Sequence, residues 1–174
     1  MKKIACLLFI AAMIYSCNTA SVNTGMNTDA NKARVQSFYD QVINAHSTAM
    51  IDSFCTADFT DHNPDPGRSG KGIDDLKASF KDFFTAYPDV HVKTNFMVAE
   101  GDTVVSHVTV TGTNSGAQGN MPATNKQVNI DGIDIMVVKD GKATERWGIF
   151  DNMTMMQQLG MMPKPGQQDS TKKK

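Results

Sequence analysis

The fold is decided by the stretch "KQVNIDGIDIMVVKDGKATERWGIF", which runs from Lys126 to Phe150. Two segments in which apolar and polar residues alternate flank the pair Asp140-Gly141, and an Asp-Gly pair in that position is a strong signal of a β-hairpin. Period-two alternation places four side chains on one face of the second strand and its end: Glu145, Trp147, Ile149 and Asp151. The tryptophan and the final acid are therefore predicted to point the same way.

A second hairpin is predicted upstream. The segments "VHVKTNFMVAE" and "TVVSHVTVTGT" flank Gly101-Asp102, which is again a turn signal. The two hairpins together predict at least four antiparallel strands after residue 90.

Helical spacing of apolar residues predicts three helices before the strands. They cover about residues 30–45, 50–54 and 73–86, with the intervening segment 56–72 as a loop. Asp29 is the predicted N-cap of the first helix, and the third ends before Tyr87-Pro88, because a residue that precedes proline avoids helical geometry.

A closing helix is predicted from Asn152 as N-cap to Leu159, where Gly160 ends it. The order α-α-α-β-β-β-β-α predicts an α+β domain whose long helices lie across one concave face of a curved antiparallel sheet.

Both ends of the chain are predicted to lie outside this domain. Residues 1–17, "MKKIACLLFIAAMIYSC", have two lysines before an apolar run that is too short to span a bilayer and suits a signal peptide. Residues 14–17 resemble a bacterial lipobox, which predicts cleavage before Cys17, lipidation of that cysteine and attachment to a membrane of the cell envelope. The alternative is a secretory signal cleaved near Ser16, which would release a secreted or periplasmic protein.

The remaining boundaries follow from composition. Residues 18–28 and 163–174 are polar and small, so they are predicted to be a flexible tether and a disordered tail. Residues 29–162 are then a single domain.

Composition limits the partners. The chain has 17 Lys and Arg against 18 Asp and Glu, so nucleic acid is an unfavourable partner. Cys55 is the only cysteine of the predicted domain, and its apolar neighbours favour a buried packing role over a nucleophile. The four histidines are not at the spacing of metal ligands, so no metal centre is predicted.

The strand region also resembles a known family. The segment "EGDTVVSHVTVTGTNSGAQGNMPATNKQVNIDGIDIMVVKDGKATERWGIFDNMTMMQQLG", with "DHNP" and "AYPDVHV" upstream, resembles the SnoaL-like polyketide cyclase, or ester cyclase, family. The resemblance covers about Lys32 to Gly160. It implies a nuclear-transport-factor-2-like fold, in which a cone of curved antiparallel sheet and helices encloses a pocket.

The resemblance assigns a role to Asp151. At that position it implies the general acid/base of an intramolecular aldol closure that needs no cofactor or metal. A carboxylate in an apolar pocket is a stronger base, because burial raises its pKa, and Trp147 could supply a flat wall of that pocket. The alternative is that Asp151 is an inert N-cap of the last helix.

Three further residues are candidates for the pocket. Asn114 stands where members of the family often have a histidine, and an asparagine can hold a carbonyl by hydrogen bonds but cannot shuttle a proton. His62 of "DHNP" matches a polar group near the pocket mouth, or is bonded locally in its loop. Asp134 shares a face with Val128 and Met136, so it is either a second pocket acid or a polar residue at a sheet edge.

Three function classes therefore remain. The first is an enzyme with Asp151 as acid/base, acting on a small hydrophobic or carbonyl-rich ligand. The second is a lipoprotein that binds such a ligand without chemistry. The third is an interaction module, and the family resemblance implies a homodimer through the sheet. An exported lipoprotein is an unusual place for polyketide closure, because polyketides are made in the cytoplasm.

Overall fold

The sheet has five strands in the order β1-β5-β4-β3-β2. The structure is a computed structural model, which describes residues 24–119 and 121–163. The strands are β1 (Cys55–Asp61), β2 (His91–Glu100), β3 (Thr103–Thr113), β4 (Gln127–Lys139) and β5 (Lys142–Phe150). The helices are α1 (Thr24–Phe38), its π-helical continuation (Tyr39–Ile43), a 3-10 turn (Thr48–Met50), α2 (Ile51–Phe54), α3 (Ile73–Ala86) and α4 (Asn152–Gln158). The predicted α+β class is confirmed.

The four predicted strands and both hairpin turns are present. Gly101, Asp140 and Gly141 have positive φ angles of 55°, 50° and 75°, the left-handed geometry that tight hairpin turns require. The pairs β2-β3, β3-β4 and β4-β5 are antiparallel.

Strand β1 was not predicted, because residues 56–72 read as a loop. It pairs in parallel with β5, the last strand, so that Thr60 lies opposite Glu145 and Asp61 opposite Arg146. Among its residues only Cys55 and Phe59 are buried. A partner more than 80 residues away leaves no local signal in so short a segment.

Two predicted helix starts are corrected. Helix α1 begins at Thr24, inside the segment predicted as a tether, and Asp29 lies within the helix, where it pairs with Lys32 at 2.7 Å. The N-cap of α4 is Asp151 rather than Asn152. Helix α3 has the predicted bounds.

The core lies between the helices and one face of the sheet, which we call the inner face. It carries the buried residues of β3 and β4 in strict alternation: Val104, Ser106, Val108 and Val110, and Val128, Ile130, Gly132, Asp134, Met136 and Val138. Helices α1 and α3 pack on it with Val35, Phe38, Leu76 and Phe80. Opposite these positions, β5 presents Arg146, Gly148 and Phe150.

The other side of the sheet, the outer face, carries the strand residues that alternation groups with Trp147. Ile149 is 59% exposed and pairs with Ile133, and Trp147 pairs with Ile135. Alternation groups Trp147 with Ile149 as predicted, and the face that they share lies away from the helices. Both faces of β5 carry aromatic and apolar residues, so alternation alone cannot decide which one is buried.

Asn114 fastens the connection between β3 and β4. Its side-chain oxygen accepts hydrogen bonds from the backbone N–H of Thr124 at 2.8 Å and from the hydroxyl of Thr124 at 3.0 Å, and its amide donates to the carbonyl of Gly116 at 2.9 Å. The residue is 3% exposed. Its hydrogen bonds therefore hold the loop between β3 and β4 in place.

Strand β4 extends beyond the end of β5, and the chain that follows β5 covers the extension. The backbone N–H of Asp151 donates to the carbonyl of Asp131 at 3.0 Å. The side chain of Gln158 accepts from the backbone N–H of Asn129 at 2.7 Å and donates to its carbonyl at 2.9 Å. A side-chain amide thus takes the place of a neighbouring strand.

The predicted signal peptide, with Cys17, and residues 164–174 lie outside the described residues. Within the described part of the chain, no helix combines the length and the hydropathy needed to cross a membrane.

We predict that Asn114→Ala destabilises the domain by ~1–3 kcal/mol, because it removes three hydrogen bonds of a buried group and leaves their partners unpaired. Urea unfolding measures the change. The matched control is Asn95→Ala, which removes one exposed hydrogen bond to Thr109 and should change stability little. Equal effects of the two substitutions would contradict the fastening role.

Candidate functional site

A buried network of charged and phenolic groups lies on the inner face. The guanidinium of Arg146 donates from Nε to Oδ1 of Asp134 at 2.8 Å and from a terminal nitrogen to Oδ2 of Asp61 at 2.9 Å. The hydroxyl of Tyr39 donates to Oδ2 of Asp134 at 3.1 Å. The side chain of Asp134 is 3% exposed and that of Arg146 is 15% exposed. We call these four residues the inner network.

Four separate elements bring the inner network together. Asp134 lies in the middle of β4, directly opposite Gly148 of β5 and Ser106 of β3. Arg146 lies two residues before Gly148 on the same face of β5. Asp61 ends β1 beside Arg146, and Tyr39 begins the π-helical turn that follows α1. Single-turn π-helices occur frequently at functional sites.

Burial decides the electrostatics of the inner network. It raises the pKa of Asp134, and the nearby Arg146 and the hydrogen bond from Tyr39 oppose that rise. Burial also raises the pKa of Tyr39 well above its usual value. For Arg146 burial acts to lower the pKa, but Asp134 and Asp61 outweigh it and hold that pKa above its usual value. Two carboxylates thus share one guanidinium in a place with little solvent.

Two buried hydroxyl groups lie on the same face. Ser106 is fully buried, next to Asp134 in the sheet, and its hydrogen bond with Tyr39 opposes the rise in the pKa of Tyr39. The hydroxyl of Thr94 on β2 is buried and has no hydrogen-bond partner among the described residues. A buried polar group without a partner is costly, so such groups mark places where a ligand or water could bind.

Asp134 is the sequence-predicted candidate that the structure brings into this network. It lies on the inner face with Val128, Ile130 and Met136, as alternation predicted. It is in the centre of the sheet, so the alternative of a polar residue at an edge is wrong.

Two other candidates meet on the outer face. The ring of His62 stacks on Trp147 with centroids 4.1 Å apart and an interplanar angle of 3°. The Nε2 atom of His62 lies 3.0 Å from Oε2 of Glu145. The backbone of β5 separates this stack from Asp134, so Trp147 and His62 form a second polar and aromatic surface and do not line the inner network.

Asp151 has the geometry of a helix cap. Its side chain accepts hydrogen bonds from the backbone N–H of Thr154 at 2.9 Å and from its hydroxyl at 2.6 Å. These bonds from Thr154 lower the pKa of Asp151, whose side chain is exposed. The resemblance implied the opposite, a carboxylate in an apolar pocket with a raised pKa. The cap geometry matches the alternative given for this residue.

Asn114 and Cys55 have structural roles and do not belong to the candidate site. Asn114 is bonded within its own loop and contributes no group to the inner network. Cys55 is 2% exposed, and burial raises its pKa to about 12, which agrees with the predicted packing role.

Sequence reasoning missed Arg146, Tyr39 and Asp61. Arg146 alternates with Gly148 and Phe150, which indicates the inner face only once the position of the helices is known. Tyr39 belongs to an apolar helical stripe and looks like an ordinary core residue. Asp61 lies in the segment predicted as a loop.

Two clefts formed by the described residues are small. One lies beside Asp61 and Arg68 and another beside Arg34 and Phe54, and each has a cavity volume of about 10 Å³. That is room for about one water molecule. No group of His, Cys, Asp or Glu side chains within the described ranges has the arrangement of a metal site.

Comparisons with known proteins agree on one family. The family model of SnoaL-like polyketide cyclases matches residues 33–159. A candidate polyketide cyclase from Bacillus cereus is 30% identical, with 76% of this chain and 79% of that chain covered and a TM-score of 0.61. A candidate SnoaL-like polyketide cyclase from Jannaschia is 20% identical over 78% and 95% of the two chains, with a TM-score of 0.70.

Other solved structures share the fold at lower identity. One is an epoxide hydrolase of the LEH-like type from M. tuberculosis, 17% identical over 77% of this chain and 92% of that chain, with a TM-score of 0.60. Among curated proteins, no sequence matches the chain significantly. The match of the family model over residues 33–159 shows that the chain belongs to the SnoaL-like polyketide cyclase family.

Proposed function

We propose that this protein carries out acid/base chemistry on a small carbonyl-rich molecule at the inner face, with Asp134 as the acid/base. The observation that supports the proposal is the inner network, in which a nearly fully buried carboxylate is bonded to a guanidinium and a phenol. Membership of a polyketide cyclase family favours aldol closure as the reaction. The 30% identical protein from Bacillus cereus favours the same reaction.

The proposed reaction needs one group that takes and returns a proton. The Asp134 carboxylate removes a proton from a carbon next to a carbonyl, and an enolate forms. The enolate carbon attacks a second carbonyl carbon of the same molecule, which forms a carbon–carbon bond and leaves an alkoxide. The protonated Asp134 then gives its proton to the alkoxide, so that product and substrate are isomers. Because burial raises the pKa of Asp134, its carboxylate is a stronger base than an exposed one.

The neighbours of Asp134 suit the charge that such a reaction develops. A guanidinium stabilises an enolate or alkoxide oxygen strongly where water is scarce, and Arg146 is fixed by its two carboxylate partners. The hydroxyl of Tyr39 donates a hydrogen bond to Asp134 and is placed to orient the carboxylate. We therefore propose that Arg146 stabilises the charge of the enolate or alkoxide and that Tyr39 positions the carboxylate of Asp134.

Asp151, the acid/base implied by the family resemblance, is the second candidate for the same role. Its exposure and its lowered pKa make it a weaker base than Asp134. The geometry therefore favours Asp134, and a direct comparison of the two acids tests the choice.

We predict that Asp134→Asn lowers catalysed enolisation by ~10²- to 10⁴-fold, the usual contribution of a positioned acid/base. The measurement is the exchange of the methyl protons of acetophenone in deuterium oxide, followed by NMR. The rate for the unmodified protein should rise as pH rises through the pKa of Asp134, since only the carboxylate accepts a proton. That pKa should lie above the usual value of about 3.9.

The matched control is Asp151→Asn, because asparagine is as good an N-cap as aspartate and leaves α4 in place. It should retain the exchange rate, and Tyr39→Phe should lower it less than Asp134→Asn does. A loss confined to Asp151→Asn would assign the chemistry to Asp151 instead. Binding of acetophenone without exchange by the unmodified protein would support a ligand-binding lipoprotein without catalysis.

We also propose that the protein is anchored to a membrane of the cell envelope through lipidated Cys17. The support is the sequence of residues 1–17, with its short apolar run and the cysteine three residues beyond the end of that run. More than one acyl chain on a single residue gives stable attachment, where one chain would be marginal.

We predict that cells expressing the protein incorporate a palmitate analogue into it and that Cys17→Ser abolishes the labelling. Cys55→Ser, which changes the buried cysteine, should leave the labelling unchanged. An unlabelled protein found in the culture medium or the periplasm would support the secretory alternative.

A second copy of the chain is the partner that we propose for the outer face. Two rows of side chains cross β2, β3, β4 and β5 there. They are Phe96, His107, Ile133 and Ile149, and Val98, Val105, Ile135 and Trp147. Phe96, Val98 and Ile149 are each more than half exposed. Apolar surface of this extent on one face marks an interaction site.

The pattern of this face favours self-association. The two rows form an apolar centre on four neighbouring strands. Polar groups border that centre, such as the pair of His62 and Glu145 beside Trp147 and the carboxylate of Asp131 beside His107. A two-fold axis through the patch brings equivalent apolar rows together.

We predict a concentration-dependent dimer with a dissociation constant in the micromolar range, which Ile149→Glu disrupts by at least tenfold, because a buried unpaired charge is costly. Sedimentation equilibrium measures it. Gln41→Glu, which adds the same charge at an exposed position next to α1, should leave the dimer intact. A monomer at all concentrations would contradict the proposal.

A further inference from the structure

Methionines are concentrated at the C-terminal end of the domain. Five of the 12 methionines of the chain lie between residues 153 and 162, in helix α4 and the turn that follows it. Met155 packs on the core, as an apolar helix residue usually does. Met153, by contrast, is 62% exposed, and Met156 and Met161 are only half-buried. Core filling therefore does not account for the whole group.

Two of these methionines are neighbours on the side of α4 that faces away from the core. Met153 and Met156 are three residues apart, and side chains at that spacing lie next to each other on a helix surface. At 3.6 residues per turn, Met153 lies about 160° around the helix from Met155, the residue that packs on the core. The pair therefore presents two thioether groups towards solvent.

The end of α4 brings a third methionine to this pair. The backbone N–H of Met161 donates to the carbonyl of Met156 at 2.8 Å, and that of Gly160 donates to the carbonyl of Gln157 at 3.1 Å. With Gly160 at a φ angle of 76°, these two bonds form a Schellman motif, which turns the chain back along the helix. This motif places the side chain of Met161 beside that of Met156. We call Met153, Met156 and Met161 the methionine row.

The chemistry of the methionine row favours a soft metal ion. A thioether sulfur is uncharged and polarisable, and the three rotatable bonds of methionine allow neighbouring sulfur atoms to converge on one point. Such sulfur ligands select Cu(I), whereas carboxylate and carbonyl oxygens select Mg²⁺ and Ca²⁺. Cu(I) has a filled d shell and accepts a low coordination number, so a short row of thioethers can satisfy it.

A nearby lysine favours a monovalent ion over a divalent one. The ammonium of Lys126 lies over Gly160, where an added Cβ atom would collide with Nζ. The repulsion between this charge and a bound cation is proportional to the charge of the cation. A divalent ion in the methionine row would therefore be repelled twice as strongly as Cu(I).

We propose that the methionine row is a binding site for Cu(I), which is held by the thioether sulfur atoms of Met153, Met156 and Met161. The site lies on α4, the helix whose Gln158 is bonded to Asn129 of β4, and it does not depend on the proposed catalysis. Binding changes no oxidation state. Metal ligands normally have to lose a proton, but thioethers carry none, so the affinity is expected to be the same at neutral and at mildly acid pH.

Silver(I), a redox-inert analogue of Cu(I), is the probe for the unmodified protein. Silver nitrate in a chloride-free buffer should shift the side-chain methyl NMR signals of Met153, Met156 and Met161. The signal of Met136, which is 2% exposed in the core, should stay unchanged. Zinc sulfate at the same concentration should shift none of the four signals. Unshifted signals of the methionine row in excess silver(I), or equal shifts with zinc(II), would overturn the proposal.

Substitution by leucine tests the ligands one at a time. Leucine has nearly the volume of methionine but no sulfur, so Met153→Leu, Met156→Leu and Met161→Leu should each keep the fold. Each should bind Cu(I) at least tenfold more weakly than the unmodified protein does, as measured by competition with bicinchoninate under ascorbate and without oxygen. Met97→Leu, at a half-buried methionine of β2, and Cys55→Ser, which removes the buried thiol, should retain the affinity. Unchanged affinity in the three leucine variants would contradict the thioether site, and a loss confined to Cys55→Ser would assign the metal to the thiol.

Discussion

The pairing of Arg146 with two buried carboxylates is the interaction on which the architecture depends. It joins the end of β1, the centre of β4 and the middle of β5 in one set of hydrogen bonds, and Tyr39 extends the set to the helical layer. Removal of one partner from a buried ion pair costs about 3–5 kcal/mol, because the remaining charge stays buried without compensation. A pair of apolar residues could stabilise the same place as well, so stability alone does not explain why charges are there.

The arrangement becomes understandable if the inner face has a chemical task. A guanidinium held by two carboxylates cannot turn away, and so it presents a fixed positive charge to whatever enters. The cost of ordering it is met when the protein folds and not when a ligand binds, which is the condition for effective electrostatic stabilisation. Gly148 leaves room for this fixed charge, because a Cβ atom there would lie 2.6 Å from a terminal nitrogen of Arg146.

Local patterns predicted the elements well and their mutual arrangement only in part. The turn at Asp140-Gly141, the alternation along β4 and the bounds of α3 each depend on neighbouring residues, and each is present. The parallel pairing of β1 with β5 depends on residues far apart in the chain, and it was missed. The side of β5 that faces the helices could not be chosen from the sequence for the same reason, since Trp147 and Phe150 are equally suited to a core.

The residues of the candidate site were likewise predicted only in part. Asp134 was found because its apolar neighbours on β4 indicate a buried face. Arg146 was not, since a charged residue beside a tryptophan is usually solvated, and only the meeting of three strands provides it with two carboxylates. Asp151 was assigned a pocket from resemblance, and its local hydrogen bonds to Thr154 make it a cap.

The edge of β4 beyond the end of β5 has a consequence for the behaviour of the protein in concentrated solution. An open strand edge is a template on which another chain can add a strand, and this leads to polymerisation or fibril growth. Here the side-chain amide of Gln158 is hydrogen-bonded to both the N–H and the carbonyl of Asn129. The backbone N–H of Asp151 donates a hydrogen bond to the carbonyl of Asp131. A seven-residue helix thereby protects the longest strand of the sheet from misassembly, at the point where its neighbour stops short.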